Sequence, residues 1–363
     1  MDRWKPDKSV WIWVKGDEKP DNAYFQFRKS FKLEQLPYKA IIYVSADCKY
    51  LLFVNGDVVG RGPITTDPLY KQVDIYDVSK YLHLGDNAVA ALVLQRHAKT
   101  SRLWPQRGGF LLQFDSEIMS FGTEEGWAAR RAIEYKHDVP FMSHQYGSQE
   151  WLDNRLISTG WNMAGFDDLT WERAVKVENA VEYWPDTLFC RQRPHMRRIK
   201  RIPENIIGYF SISSKGVPAE HWYEPARQMS VDYIGSSVAV YGIDNLTKES
   251  KESKDYATIC ENSMGGIGIV VDMGEEMLGY PYIEFECPEG VTVDIGHGEL
   301  LSRNRIQTLI LPESGAEQRY ADRYISGGGR QRWELFDSKG LRYLEVHFRD
   351  IPKDKVDNVS KVV

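Results

Sequence analysis

The residues with the most chemistry to offer lie in one run, residues 95–109, which reads QRHAKTSRLWPQRGG. It carries His97, Arg102, Trp104 and Arg107 between two apolar segments. A tryptophan offers a flat apolar face of the kind that stacks on a pyranose ring. Arginine supplies planar, multidentate donors to hydroxyl groups. The earlier segment RGPITTDP adds Arg61 and Asp67, the latter an acceptor for hydroxyls. These six side chains are the expected sugar-binding set, on loops held by a rigid scaffold. The competing reading has Trp104 capping a core or packing on a further domain, and the arginines paired with acids. Three adjacent acidic pairs, Asp167-Asp168, Glu124-Glu125 and Glu275-Glu276, could in principle do acid–base work. Neighbours on a strand point to opposite faces, so such pairs do not converge, and they are read as turn or surface pairs. Eight histidines give no unique base for a Ser–His–Asp set, and no catalytic residue is assigned.

The elements that must position these residues read as strands. Residues 11–13 and 24–33 alternate apolar and polar, and 40–45 form a continuous apolar run. Residues 50–54 run into Asn55-Gly56, a strong hairpin signal because both turn residues take positive φ. Residues 73–78 lead to a turn at Leu84, Gly85, Asp86 and Asn87, followed by AVAALVLQ. In the last quarter Tyr282, Phe285, Val291, Val293 and Ile295 alternate with polar residues, the pattern of half-buried antiparallel strands. Glycines and a proline at 288–290 and 327–329 are expected to make turns, as is GGIGI at 265–269. SVAVYG at 237–242 reads as a strand, and no helix longer than a turn or two is expected. The fold class is therefore all-β, two antiparallel sandwiches or jelly rolls.

At 363 residues the chain is too long for one ordinary core. Its expected divisions are a sandwich at 1–185, a basic linker at 186–205 and a second sandwich at 206–363. The linker carries Arg191, Arg193, Arg197, Arg198, Lys200 and Arg201, read as a solvated connector kept extended by Pro194 and Pro203 in preference to an anion patch. A hydrophobic content of 42% with 27% charged residues is that of a soluble globular protein, and a net charge of −6 argues against nucleic-acid partners. No apolar run approaches the roughly 20 residues of a membrane span, and no signal core precedes the fold. The four cysteines, Cys48, Cys190, Cys260 and Cys287, have no zinc spacing and read as reduced thiols of a cytoplasmic protein. No metal or other cofactor is expected. The sequon Asn245-Leu246-Thr247 is read as a chance match. The final residues, VDNVSKVV, read as the start of a strand, as a truncated chain would show.

Several motifs carry a resemblance. The order Asp272, Gly274, Gly279, then Gly298 and Glu299, then Gly340, Arg342, Tyr343, Glu345 and Val346 is similar to the β-sandwich that precedes the catalytic barrel of bacterial α-L-rhamnosidases, glycoside hydrolase family 78. Residues 24–171 resemble the same family's N-terminal accessory domain of galactose-binding-like fold, through FRKSF, YVSADCKYLLFVNGDVVGRGP, DVSKYLHLGDNAVA and FDDLTWERA. The run from Glu150 to Trp161 departs from the family pattern at Asn154, where alanine is common. The resemblance implies an inverting glycosidase whose acid and base glutamates sit on an (α/α)₆ barrel, with the two carboxyls roughly 6.5–9.5 Å apart. No counterpart of that barrel is read in the sequence.

Three roles follow as expectations. The first is a non-catalytic accessory region of an α-L-rhamnosidase-like hydrolase, whose partner is a barrel of the same or a separate chain. The second is a free-standing carbohydrate-binding module for rhamnose-containing sugars. The third is a structural protein without sugar recognition, able to self-associate into a homo-oligomer through its docking face.

Overall fold

The computed structural model describes residues 2–213, 224–235, 240–247, 257–259, 265–313, 315–351 and 361–362. The fold is all-β, as expected; the longest α-helix among the described residues is Pro225–Val231. The chain divides into two compact units, Met1–Ile133 with Ser158–Met196, and Glu134–Ile157 with Arg197–Val363. Residues 134–157, read in the sequence as part of the first sandwich, thus pack with the second unit. The reason is a sheet edge: Trp151–Asp153 pairs in parallel with residues 323–325 of the strand Ala321–Glu334.

The first unit is a sandwich of two sheets. One is built around Gln72–Asp77, Ala40–Ala46 and Phe110–Ser116. The other runs Glu172–Arg173, Ala128–Arg131, Asn22–Leu33, Gly85–Arg96, Lys49–Val54 and Asp57–Gly62. Asn55 and Gly56 form the expected two-residue turn, with φ of 52° and 86° and Val54 opposite Asp57. The core between the sheets is aromatic: Phe25, Phe27, Phe110 and Phe114 are wholly buried, beside Trp13, Trp127 and Trp184. The expected linker begins later than the sequence suggests. Leu188–Cys190 is a strand paired with Arg3–Trp4 and with Gln72. Arg191 donates to the buried Asp74 at 2.9 Å, so it belongs to the first unit. The rest of the basic cluster is exposed, as a connector should be.

The second unit is organised on one large sheet, in the order Trp151–Asp153, Ala321–Glu334, Tyr282–Gly298, Lys339–Arg349, Gly266–Gly279, Asn205–Ser213 and Tyr233–Ile234. Three expectations change here. The glycines at 288–290 and 327–329 are not chain reversals. They face each other inside one long ladder, Cys287 opposite Gly329 and Glu289 opposite Gly327, where the register slips and Gly290, Gly328 and Gly329 take positive φ. This is a bulge, which bends a strand without ending it. GGIGI likewise starts a strand, paired on one side with residues 205–212 and on the other with 339–348. A Cβ on Gly268 would strike the Phe210 ring, so glycine there serves close approach. Of the 237–242 segment, Val240–Tyr241 is a strand; residues 236–239, 248–256 and Cys260 lie outside the described residues.

The third change concerns the polar face. Val291, Val293 and Ile295 point into an apolar core with Phe285, Tyr324, Trp333 and Phe348, as their alternation predicts. Of the intervening polar residues Thr292 is part-exposed, but Asp294 does not face water. Asp294 is 0% exposed, its carboxylate held by Arg323 Nε at 2.7 Å and Arg349 Nε at 2.7 Å. Arg349 reaches on to Asp232, His347 lies between Asp232 and Glu345, and Arg305 closes the chain on Glu345 at 2.7 Å. Burial alone would push the Asp294 and Glu345 carboxyls up. For Asp294 the Arg323 and Arg349 guanidiniums outweigh it, and for Glu345 the His347 hydrogen bond and Arg305 do so, so each falls to about 2.

Glu150 is the opposite case. It is buried, accepts from Trp333 Nε1 at 3.2 Å and Phe336 N at 2.8 Å, and lies near the Asp322 charge. Burial first, and Asp322 second, raise its carboxyl to about 7.

Two predictions follow. Asp294→Ala takes the shared buried carboxylate from Arg323 and leaves Arg349 only Asp232, and should cost the second unit roughly 3–5 kcal/mol in urea unfolding; a loss below 1 kcal/mol would show that the network is not stabilising. Glu150 holds its proton longer in the folded than in the unfolded state, so stability should fall as pH rises from about 4.5 to about 7, by on the order of 3 kcal/mol. Glu150→Gln should flatten that decline, and unfolding midpoints that decline in parallel for both proteins would refute the assignment.

Candidate functional site

The site is built on Asp47, in the tight turn between Ala40–Ala46 and Lys49–Val54. Aspartate suits such a turn, but here the side chain points inward and is buried. Its Oδ1 accepts from Trp184 Nε1 at 2.9 Å. Its Oδ2 accepts from Gln95 Nε2 at 2.8 Å and from the backbone N–H of Gln106 at 2.9 Å. The Asp47 N–H donates to Gly109 O at 2.9 Å, and its carbonyl accepts from Lys71 Nζ at 2.5 Å. One residue therefore ties together segments at 71, 95, 106–109 and 184. Burial lowers the Lys71 ammonium below its usual range and, with the Asp47 charge, pushes the Cys48 thiol up to about 12.

On this base sits the 95–109 loop. Glycine at its end is a steric need: a Cβ on Gly108 or Gly109 would overlap the rings of Trp13 and Trp184. Gly108 N–H donates to Glu18 O at 2.7 Å, and Gln106 Nε2 donates to Trp104 O at 3.1 Å. Leu103 is buried and anchors the apex. Trp104 is half exposed, at 50%, so it does not cap the core. The Arg107 guanidinium lies over the Tyr183 ring at 5.2 Å, and its Nε is buried without a hydrogen-bond partner. His97 is exposed, and Arg102 is partly buried with its N–H on Thr100 Oγ1 at 3.2 Å.

Four of the six expected residues thus share one anchored loop. Arg61 and Asp67 sit on separate elements. Arg61 is on Asp57–Gly62, its carbonyl accepting from Tyr76 OH at 3.2 Å. Asp67 is used locally, capping the turn Pro68–Tyr70 by accepting from Leu69 N at 2.9 Å. Sequence reasoning missed Asp47, Lys71 and Trp184. Nothing local marks them, because their partners are up to 137 residues away. The arrangement offers donors, acceptors and an aromatic face, which is equipment for recognition.

The acidic pairs are structural. Asp168 forms an ion pair with the buried Arg28 and a second with Arg173, so it is more than the surface residue expected. Glu124 meets Lys29 at 2.6 Å, and Glu275 meets Arg201 at 3.4 Å. Among the described residues no three His, Cys, Asp or Glu side chains gather as metal ligands would, and no helix is long and apolar enough to cross a membrane.

Removing the Asp47 carboxylate should loosen the whole loop end. Asp47→Ala leaves the Trp184 indole, the Gln95 amide and the Gln106 N–H without their acceptor. The first unit should lose roughly 3–5 kcal/mol in urea unfolding, with the transition of the second unit unchanged. A first-unit loss under 1 kcal/mol would remove Asp47 from this role.

Residues 36–199 match the α-L-rhamnosidase N-terminal domain, and residues 263–363 match the bacterial α-L-rhamnosidase concanavalin-like domain. An α-L-rhamnosidase of Streptomyces avermitilis is 25% identical over 347 residues, covering 90% of this chain and 27% of that protein. The family 78 rhamnosidase of Bacillus sp. GL1 superposes with a TM-score of 0.82 at 17% identity, over 99% of this chain and 54% of that one. The α-L-rhamnosidase of Aspergillus terreus gives a TM-score of 0.61 at 19% identity, over 98% of this chain and 36% of that one. The chain thus spans about half or less of the length of these relatives. Motif order, fold and matched domains agree, and the chain belongs to the bacterial α-L-rhamnosidases of glycoside hydrolase family 78, as an N-terminal region made of that family's N-terminal and concanavalin-like domains.

Proposed function

We propose that this chain is a non-catalytic accessory region of an α-L-rhamnosidase-like hydrolase that acts on rhamnose-containing glycans or glycosides. The observation that carries the proposal is domain content: the two domains matched are both β-rich, and they correspond to 27% of the Streptomyces enzyme. Hydrolysis with inversion needs two carboxyls facing a common gap, one as acid and one as base. Among the described residues, four buried carboxylates are committed to other work. Asp294 and Glu345 neutralise arginines, Asp47 holds loops together, and Glu150 receives an indole and a backbone N–H. The catalytic pair then belongs to a barrel, the natural partner of this region. We read the setting as reducing and cytoplasmic from the scattered cysteines, whose spacing suits reduced thiols. Burial pushes the thiols of Cys48 and Cys287 up to about 12 and about 11, which keeps both in the unreactive protonated form at neutral pH.

The test is direct. Purified chain incubated with p-nitrophenyl α-L-rhamnoside should release nitrophenol no faster than buffer. Enzyme-dependent release that saturates with substrate would overturn the non-catalytic reading.

A further inference from the structure

Buried polar side-chain atoms without a hydrogen-bond partner collect at one end of the first unit. Among the described residues, those at this end are Asn22 Nδ2, Thr66 Oγ1, Gln72 Oε1, Gln95 Oε1 and Arg107 Nε; Arg28 Nε, on the guanidinium that reaches Met163 O and Phe166 O, lies away from it. This is the Asp47 end of the sandwich. Gln95 bonds Asp47 directly. Asn22 accepts from its cross-strand neighbour Arg96 at 3.2 Å. Thr66 and Gln72 flank the segment that delivers Lys71, and Arg107 follows Gln106, whose N–H Asp47 accepts. The opposite end is better satisfied, although Arg28 Nε, toward that end, also lacks a partner. There Asn55 and Asn87 bond each other at 2.8 Å, and their remaining groups reach Tyr81 O, His83 O, Gly85 O and the Ala88 N–H. A buried polar group left unpaired is destabilising, so such groups concentrate where a ligand completes them.

The charge of the loop narrows the ligand. Residues 96–114 contain Arg96, Lys99, Arg102 and Arg107 and no Asp or Glu. Arg107 is held by the face of Tyr183 and has no carboxylate partner among the described residues. Of the acidic residues that adjoin the loop, Asp47 is taken by its donors, Glu18 Oε1 accepts the Gly16 N–H, and Asp21 meets the loop through its backbone carbonyl. An arginine fork without an acid matches a carboxylate of the ligand in bidentate geometry. Beside it stands Trp104, half exposed on a backbone fixed by Gln106 and Gly108.

We propose that the Asp47 end of the first unit binds an acidic pyranose, with the sugar ring stacked on Trp104 and its carboxylate held by Arg107. The proposal stands or falls independently of the accessory-region reading above.

The test is isothermal titration of the full chain with D-galacturonate and D-glucuronate. D-galactose and L-rhamnose serve as neutral controls, and acetate as a carboxylate without a ring. At least one uronate should saturate, about tenfold or more tighter than either neutral sugar and tighter than acetate. Trp104→Ala and Arg107→Gln should each weaken it by about tenfold, while circular dichroism and unfolding midpoints stay as in the parent. Arg107→Lys, which keeps charge but not the fork, should fall between. Equal binding of neutral and acidic sugars would overturn the carboxylate assignment. Acetate binding as tightly as the uronates would reduce the site to a plain anion patch and overturn the sugar. Flat titrations with folded protein, or uronate binding untouched by both substitutions, would overturn the site.

Discussion

A carboxylate taken out of water must be met by donors on every side, and each unit of this chain is organised around that constraint. In the second unit Asp294 is wholly buried, and Arg323 and Arg349 converge on it from the two flanking strands. In the first unit Asp47 gathers an indole, an amide, two backbone contacts and an ammonium from segments spread over more than a hundred residues. Breaking either set strands charge or donors in a medium that cannot solvate them, which is why such groups fix geometry more firmly than apolar contacts of the same size. The apolar cores supply the driving force for collapse. The carboxylates decide which loops and strands lie beside one another.

The family motifs make sense in these terms. Asp272 and Arg342, in motifs seventy residues apart, form a bidentate pair at 3.0 Å. The same aspartate accepts the N–H of Gly274, whose φ of 86° no branched side chain would tolerate. Glu345, from the same motif as Arg342, is a buried member of the ion-pair layer. Asn154, where the family pattern has alanine, is not idle: it donates to Gln331 Oε1 at 2.9 Å. The motif spacing was legible in the sequence because the strands bearing these residues are adjacent in the sheet. It carried no chemistry because the residues serve the sheet.

The sequence misled where one pattern has two physical origins. Polar alternation along 291–295 reads as a solvent face, yet a layer of helix and loop lies over it and the charges are paired in the interior. Glycine clusters read as turns, yet at 288–290 and 327–329 they make a bulge in a continuous ladder, and at 265–268 they allow backbone to approach Phe210 and Phe348. The division near residue 134 gave no compositional sign, because a three-residue edge strand is too short to mark itself.

Local sequence by itself determined most of the strands, the Asn55-Gly56 turn and the position of Trp104 on a loop. These follow from side-chain period, backbone preference and flanking glycines, all of which act over a few residues. Only tertiary structure decided which polar residues are buried, that Asp47 and not Asp67 anchors the loop end, that Asp168 serves Arg28, and that residues 134–157 join the second sheet. Those outcomes rest on contacts between segments far apart in the chain, and the strength of a charge or hydrogen bond there depends on the burial that the whole fold creates.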